Sequence, residues 1–124
     1  DRILEEDAGR IAGTVDAASD IAGKVIVEAG AKIVRSTIRG PAIIGAEATI
    51  QDAYIGPFTA IGEGCEIRNS EVEYSIVLPR SRILHADVRI ERSLLGREVT
   101  ILRVEARPRT QKFIVGDQSI IELP

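Results

Sequence analysis

The chain has 124 residues, enough for one domain, and it carries a formal net charge of −3. Its single Cys and single His exclude an internal disulfide framework and a His/Cys zinc site, and the acidic balance argues against a nucleic-acid partner. Without a long apolar run or a secretory signal, we expect a cytoplasmic protein with no membrane partner.

The apolar residues are mostly small or β-branched. The sequence contains 19 Ile, 10 Val and 14 Ala but only 7 Leu, with two Phe, two Tyr and no Trp or Met. Because β-branched side chains lose rotamer freedom on a helix, this composition favours strands around a narrow interior. We therefore expect an all-β protein.

Residues 1–14 lack any repeat and are interpreted as a linker. Ile3 and Leu4, followed by acidic residues, are typical of the end of a helix that leads into the next element. From Val15 onward an aliphatic residue recurs every six or five positions. The series is Val15, Ile21, Val27, Ile33, Ile38, Ile44, Ile50, Ile55, Ile61, Ile67 and Val72.

This spacing predicts three short strands per turn of a solenoid. Steps of six, six and five residues give coils of about 17 residues, so that equivalent residues stack in columns. A helix would point successive members of the series in different directions, whereas an even step along a strand returns to the same side. The predicted columns are Ile33, Ile50 and Ile67; Ile38, Ile55 and Val72; and Ile44, Ile61 and Leu78.

The register changes after Val72. The segments VEYSIVL (72–78) and IERSLLG (90–96) align at an offset of 18, which predicts an inserted residue or bulge within 70–82. The solenoid is expected over 15–101, with about five coils and a length of ~25 Å at the strand spacing. Residues 102–124, with the apolar segment FIVGD, are expected to form a C-terminal cap that includes one strand.

Few residues suggest chemistry. His85 is the sole candidate for a general base, and a solvated corner residue is the simpler interpretation. Cys65 stands at a small interior position and is interpreted as a buried thiol. Residues 80–112 contain nine basic and four acidic residues, which makes Arg103, Arg107, Arg109 and Lys112 candidate contacts for an anionic ligand. A solvated face with salt pairs is the alternative.

Aromatic residues mark candidate interface positions. A face that packs against another protein needs outward apolar side chains, and the best candidates are Tyr54, Phe58 and Tyr74. Ordinary surface aromatics are the alternative interpretation.

The repeat resembles the hexapeptide repeat of left-handed parallel β-helix proteins, best over IGAEATIQDAYIGPFTAIGEGCEI (44–67). That resemblance implies left-handed coiling. Such domains occur in acyltransferases, in zinc carbonic anhydrases and as appended domains of sugar-nucleotide enzymes. The carbonic anhydrase type needs three His ligands and is excluded by the single His85.

A narrower resemblance covers residues 10–123. The segments STIRGPAIIG (36–45), YIGPFTAIG (54–62), EVEYSIVL (71–78), IERSLLG (90–96) and RPRTQKFIVGDQSIIEL (107–123) are similar to the C-terminal region of long-form glucose-1-phosphate thymidylyltransferases. That family's catalytic chemistry lies in an N-terminal Rossmann-like domain with a G-x-G-T-R-L-x-P signature and Asp ligands for magnesium. Neither is found here, so no catalytic residue can be transferred to this sequence.

The resemblance therefore implies a non-catalytic domain with an assembly or regulatory role, no cofactor of its own, and magnesium only in the N-terminal domain. Its partners would be that nucleotidyltransferase domain and further copies in a homo-oligomer. The parent would make dTDP-glucose from dTTP and glucose 1-phosphate. Two alternatives remain open: an acyl-CoA-dependent acyltransferase with His85 as base, and a purely structural assembly module.

Overall fold

The computed structural model describes residues 9–85, 89–102 and the backbone of 113–114. These residues form eighteen strands and no helix. The strands are β1 Gly9–Ile11, β2 Thr14–Val15, β3 Asp20–Ala22, β4 Val25–Val27, β5 Lys32–Val34, β6 Thr37–Arg39, β7 Ala42–Ile44, β8 Thr49–Gln51, β9 Tyr54–Ile55, β10 Thr59–Ile61, β11 Glu66–Arg68, β12 Glu71–Glu73, β13 Ile76–Val77, β14 Arg82–Leu84, β15 Arg89–Glu91, β16 Leu94–Leu95, β17 Thr100–Leu102 and β18 Phe113–Ile114.

Every third strand joins the same sheet, which makes the chain a parallel β-solenoid of about five coils. Sheet A has the order β1-β4-β7-β10-β13-β16. Sheet B has the order β2-β5-β8-β11-β14-β17, and sheet C has the order β3-β6-β9-β12-β15. The pairs between successive coils are parallel, as expected for a coil that advances by one strand per turn. The all-β solenoid prediction is confirmed.

The interior consists of the predicted aliphatic columns, with one correction. Ile33, Ile50 and Ile67 stack on sheet B, and Ile38, Ile55 and Val72 are in one row on sheet C. On sheet A, Ile61 pairs with Val77, so the prediction that Leu78 continues this column is wrong. Val77 is fully buried, whereas Leu78 lies one position further and is half-buried.

The predicted insertion within 70–82 is also wrong, because the coil is shorter there. Ile61 and Val77 are 16 residues apart, one fewer than the 17 between Ile44 and Ile61. The longer step follows, since Ile83 pairs with Ile101 and Val72 with Ile90, each 18 residues on. A one-residue slip within a strand would turn every side chain of that strand to the other face. The differences in coil length are therefore accommodated in the corners. The predicted offset of 18 between the 72–78 and 90–96 segments is confirmed.

Most corners contain one residue with left-handed backbone. Where sheet A meets sheet B, φ is positive at Gly30, Glu47, Gly64, Arg80 and Glu98. Where sheet B meets sheet C, it is positive at Arg35, Asp52, Asn69 and His85. Where sheet C meets sheet A, it is positive at Gly23, Phe58, Tyr74 and Arg92. These corners bend the chain sharply enough to start a new strand within a few residues.

The two ends differ from the expected boundaries. Strand β1 pairs with β4, so the first sheet already begins at Gly9, inside the segment interpreted as a linker. At the other end, β18 runs antiparallel to β17 along the edge of sheet B, and the predicted cap stays a prediction. Ile3, Leu4 and the remainder of the predicted cap after Leu102 lie outside the described residues. The part of the chain that the structure describes has no helix capable of spanning a membrane.

Candidate functional site

One outward face of the solenoid is aliphatic over five successive strands. In each three-residue strand of sheet A the outer positions point inward and the middle residue points outward, because side chains alternate along a strand. The middle residues of successive coils pair with one another in register. The row begins with Arg10 on the first strand, which pairs with Ile26. Its five aliphatic members, Ile26, Ile43, Ala60, Ile76 and Leu94, are called the sheet A row.

These side chains are open to solvent. Ile43 is 44% exposed, Ile76 is 49% exposed and Leu94 is 37% exposed. Single exposed aliphatic residues are ordinary on a protein surface, but a contiguous strip is typical of an interface. The sheet A row is therefore the candidate functional site with the clearest physical signature.

The other two sheets present mainly polar rows. On sheet B one outward row contains Lys32, Thr49, Glu66, Arg82 and Thr100. The second row of that sheet is mixed, with Val34, Gln51, Arg68, Leu84 and Leu102. On sheet C the outward row contains Asp20, Thr37, Tyr54, Glu71 and Arg89. Continuous aliphatic character is confined, among the described residues, to sheet A.

Ion pairs tie neighbouring coils together on the polar sheets. Arg82 lies 3.1 Å from Glu66, and Arg68 also pairs with Glu66. Hydrogen bonds from Arg68 and then Arg82 hold the pKa of Glu66 below its ordinary value. Arg89 contacts Glu71 at 2.9 Å and Glu73 at 3.3 Å. The pairs of Arg82 with Glu66 and of Arg89 with Glu71 link neighbouring coils on sheets B and C.

Two of the three predicted interface aromatics flank the sheet A row. Phe58 and Tyr74 occupy equivalent corner positions between sheets C and A, and both have positive φ. Their rings stack with centroids 5.6 Å apart and planes 21° from parallel. Phe58 is 63% exposed, so its ring extends the apolar surface at that edge.

The third predicted aromatic lies on a different sheet. Tyr54 is on sheet C, where the guanidinium carbon of Arg89 lies 5.8 Å from the centroid of its ring. It lines an open groove of about 620 Å³ together with Arg35, Asp52, Asn69, Glu71 and Arg89. Tyr54, Phe58 and Tyr74 therefore do not form one surface.

The charges of this groove are satisfied internally. Arg35 donates two hydrogen bonds to the carboxylate of Asp52, at 2.8 and 3.0 Å. That contact holds the pKa of Asp52 below its ordinary value and raises the pKa of Arg35. Since Arg89 is paired with Glu71 and Glu73, both guanidinium groups of the groove already have anionic partners. The groove offers an anion little net attraction.

His85 occupies an exposed corner. Asn69 occupies the equivalent corner position in the preceding coil. Its side-chain amide nitrogen lies 2.6 Å from Nδ1 of His85. When the amide donates to Nδ1, the neutral ring carries its proton on Nε2. In the described part of the chain, the hydrogen bonds that His85 makes include none to a carboxylate that would orient it as a base. Its catalytic role stays an untested prediction.

The remaining predicted residues fall into two groups. Arg103, Arg107, Arg109 and Lys112 lie outside the described residues, so the predicted anion site stays a prediction.

Cys65 is buried, and its thiol donates to the carbonyl oxygen of Leu78 at 3.2 Å. Burial raises the pKa of this thiol, which keeps it protonated and unreactive. Among the described residues, no group of three or more His, Cys, Asp and Glu side chains has a geometry for a metal ion.

The sheet A row was missed at the level of sequence, although a signal for it exists. Its members precede interior residues in aliphatic doublets: Ile26–Val27, Ile43–Ile44, Ile76–Val77 and Leu94–Leu95. A strand with one solvated face normally alternates apolar and polar residues, so a doublet places an aliphatic side chain on the outside. Aliphatic doublets also occur on sheet B, at Ile33–Val34, Ile83–Leu84 and Ile101–Leu102, so counting them would have indicated outward aliphatic residues on two sheets.

Two curated relatives match nearly the whole chain. A glucose-1-phosphate thymidylyltransferase of Streptomyces antibioticus is 46% identical over 121 residues, which cover 98% of this chain and 34% of the relative. The glucose-1-phosphate thymidylyltransferase of Streptomyces griseus is 41% identical over 117 residues, covering 94% of this chain and 33% of the relative. Nearly the whole chain is thus similar to one part of glucose-1-phosphate thymidylyltransferases. No protein-family model matches it.

The chain spans about a third of the length of the curated relatives it matches. Solved structures with a similar repeat include the acetyltransferase domain of PglB from Neisseria gonorrhoeae in complex with acetyl coenzyme A. It is 16% identical with a TM-score of 0.48, over 90% of this chain and 64% of that chain. A hexapeptide transferase family protein from Anaplasma phagocytophilum is 21% identical with a TM-score of 0.31, over 85% and 80%. Similarities at this level carry no conclusion about function.

Proposed function

We propose that this chain is the C-terminal, non-catalytic domain of a cytoplasmic glucose-1-phosphate thymidylyltransferase-like enzyme. A separate N-terminal nucleotidyltransferase domain would join dTTP and glucose 1-phosphate to give dTDP-glucose and pyrophosphate, with magnesium bound there. The β-helix would assemble the enzyme by packing its sheet A row against another protein surface. The match to two thymidylyltransferases over a third of their length supports this assignment.

The observation that carries the assembly role is the sheet A row itself. Its exposed aliphatic residues, including Ile43 and Ile76, lie in register over five coils, and Phe58 and Tyr74 extend it at one edge. Burying such a strip against a partner removes apolar surface from water, which favours association. A rigid prism orders few side chains when it binds, so little of that free energy is lost.

The acyltransferase alternative has less support. It requires a base that is oriented for proton transfer, and His85 contacts an amide instead. It also requires a site for the acyl donor, whereas the groove near Tyr54 is open and its guanidinium groups are paired. The described residues thus favour the assembly role.

The test introduces charge into the sheet A row of the whole enzyme that contains this domain. We expect the double variant Ile43→Glu with Ile76→Glu to lower the unfolding temperature or the sedimentation coefficient. The reason is that the charged sheet A row would dissociate from the protein surface on which it packs. Val34→Glu on sheet B is the matched control and should change neither quantity. Unchanged unfolding temperature and sedimentation in the double variant would contradict the assembly role.

A further inference from the structure

We propose that the open groove of about 620 Å³ lined by Tyr54 binds an uncharged sugar ring. We call it the Tyr54 groove, and it lies between the corner of sheets B and C and the outward row of sheet C. The inference concerns a ligand, so it goes beyond the proposed function, which concerns assembly. Its basis is an aromatic ring beside hydrogen-bonding side chains whose charges balance.

Two rows of side chains form the walls of the Tyr54 groove. In two successive coils, a corner residue and a sheet C residue flank a small buried residue. These triplets are Asp52-Ala53-Tyr54 and Asn69-Ser70-Glu71. The outer residues of each triplet reach the surface, so the groove has side-chain walls over a floor that carries no large side chain.

Tyr54 supplies an apolar surface in this groove. Its ring is half-buried on sheet C, and the guanidinium carbon of Arg89 lies 5.8 Å from the ring centroid. The C–H groups of a sugar ring are apolar and pack on an aromatic ring, whereas the phenol hydroxyl bonds with sugar hydroxyls. Tyr54 therefore suits both kinds of atom that a sugar presents.

The polar wall residues keep hydrogen-bonding capacity beyond their internal contacts. Arg35 donates from Nε and Nη2 to Asp52, and its Nη1 forms no hydrogen bond to another described residue. Asn69 contacts Nδ1 of His85 through its amide nitrogen, which leaves its Oδ1 as an acceptor. Sugar hydroxyls both donate and accept, so they match both groups. The internal contacts also hold these side chains in place, so binding orders few of them.

The charge balance of the groove favours an uncharged ligand. Its lining contains two cations, Arg35 and Arg89, and two anions, Asp52 and Glu71. Arg35 lies 2.8 Å from Asp52, and Arg89 lies 2.9 Å from Glu71. A phosphate would have to compete with these carboxylates for the guanidinium groups. Sugar hydroxyls need only the donors and acceptors that the ion pairs leave over.

The openness of the groove sets the strength of binding. Tight small-molecule sites bury most of the ligand surface, whereas a sugar in this groove would keep one side in solvent. We therefore expect a Kd on the order of 1 mM. Titration followed by NMR measures binding in this range directly.

The test titrates the isotope-labelled 124-residue chain with glucose, galactose and mannose. At least one of these sugars should shift the backbone amide signals of Ala53, Tyr54 and Ser70 in a saturable way. The amide of Ile43, on sheet A, should not shift and serves as the internal control.

A pair of tyrosine variants tests the aromatic contact. Tyr54→Ala should weaken sugar binding roughly 5–10-fold, because it removes the apolar surface of the groove. Tyr74→Ala is the matched control, since Tyr74 is an exposed aromatic residue beside the sheet A row, and it should bind as wild type does. If Tyr54→Ala loses its dispersed amide spectrum, the wild-type titration and the following variant still decide the question.

A charge variant tests the preference for an uncharged ligand. Asp52 has a φ of 51°, a left-handed conformation that Asn tolerates well. Glucose 1-phosphate should bind wild type within about threefold of the Kd for glucose. In Asp52→Asn, which removes the anionic partner of Arg35, glucose 1-phosphate should gain several-fold over glucose.

Three results would overturn the inference. The first is the absence of saturable shifts at the groove amides with every sugar, and the second is an equal loss of binding in Tyr54→Ala and Tyr74→Ala. The third is wild-type binding of glucose 1-phosphate that is tenfold or more tighter than that of glucose, which would indicate an anion site. None of these results bears on the assembly role, which Ile43→Glu with Ile76→Glu tests separately.

Discussion

At the scale of single residues, the width of the prism is set by a few aliphatic side chains per coil. Ile33 and Ile38 are the middle residues of strands on sheets B and C, Ile44 is the last residue of a strand on sheet A, and all three are fully buried. Small residues fill the remaining interior, as Ala31, Ala48 and Cys65 show at equivalent positions of successive coils. Interiors are close-packed, so each position accepts a narrow range of volumes.

Two neighbouring isoleucines test this arrangement. Ile44 is completely buried, and Ile43 beside it faces solvent. We expect Ile44→Ala to lower the free energy of unfolding by about 2–5 kcal/mol, because it removes transfer free energy and leaves a cavity. Ile43→Ala should cost less than about 1 kcal/mol. Urea denaturation of both variants measures the difference, and equal costs would mean that the strand alternation is wrong.

Glu66 should make stability depend on pH. Its pKa in the folded chain is lowered by Arg68 and Arg82, whereas the unfolded value is near 4.3. A lowered folded pKa contributes stability above the unfolded pKa, and that contribution is lost as the pH falls through the folded pKa. We expect Glu66→Gln to be less stable than wild type at pH 7, by less than about 1 kcal/mol. The difference should begin to shrink as the pH falls below about 4.3 and should vanish once the pH is below the lowered folded pKa. A difference that persists in acid would contradict the ion-pair interpretation.

At the scale of elements, the corners decide where each strand ends. The corner between sheets A and B uses glycine in two coils, Gly30 and Gly64, and charged residues in three. A left-handed backbone costs an L-residue roughly 1–2 kcal/mol, and a β-branched residue tolerates it least. The strands are too short to form without these turns.

Glu47 is the position to test this claim, since its φ is 62°. We expect Glu47→Val to lower the unfolding free energy by about 1–2 kcal/mol, because a β-branched side chain is strained there. The matched change Glu47→Gly should stay within about 0.5 kcal/mol of wild type. Thermal or urea unfolding distinguishes the two. If Val is tolerated as well as Gly, the left-handed geometry of this corner is not a constraint on stability.

Most of this element-level structure could be predicted from the sequence, because the six-residue period is physically restrictive. Columns through Ile50, Ile55 and Ile67 followed directly from the spacing. The error at Leu78 arose where the period shortened by one, since Val77 and Leu78 are both aliphatic and the sequence does not distinguish them. The shorter corner between Val72 and Val77 depends on backbone turns that hydrophobic spacing does not reveal.

At the scale of the whole molecule, the three faces of the prism differ in the residues that they expose. Sheets B and C carry ion pairs between coils, such as Arg82 with Glu66 and Arg89 with Glu71. Sheet A carries the exposed aliphatic row that the hydrophobic spacing did not identify. Of the three aromatic candidates, only Phe58 and Tyr74 lie beside this face. They stand at corners with left-handed backbone, and the hydrophobic spacing does not reveal which way a side chain points there.

The most direct test of the central claim is the release of pyrophosphate from dTTP and glucose 1-phosphate. It should be measured for the 124-residue chain and for the protein made from the whole reading frame that encodes it. We predict turnover by the longer protein with magnesium present, and none by the chain alone, because under the proposed function it would contribute assembly and no catalytic groups. Turnover by the isolated chain, or its absence from an intact longer protein, would contradict the assignment.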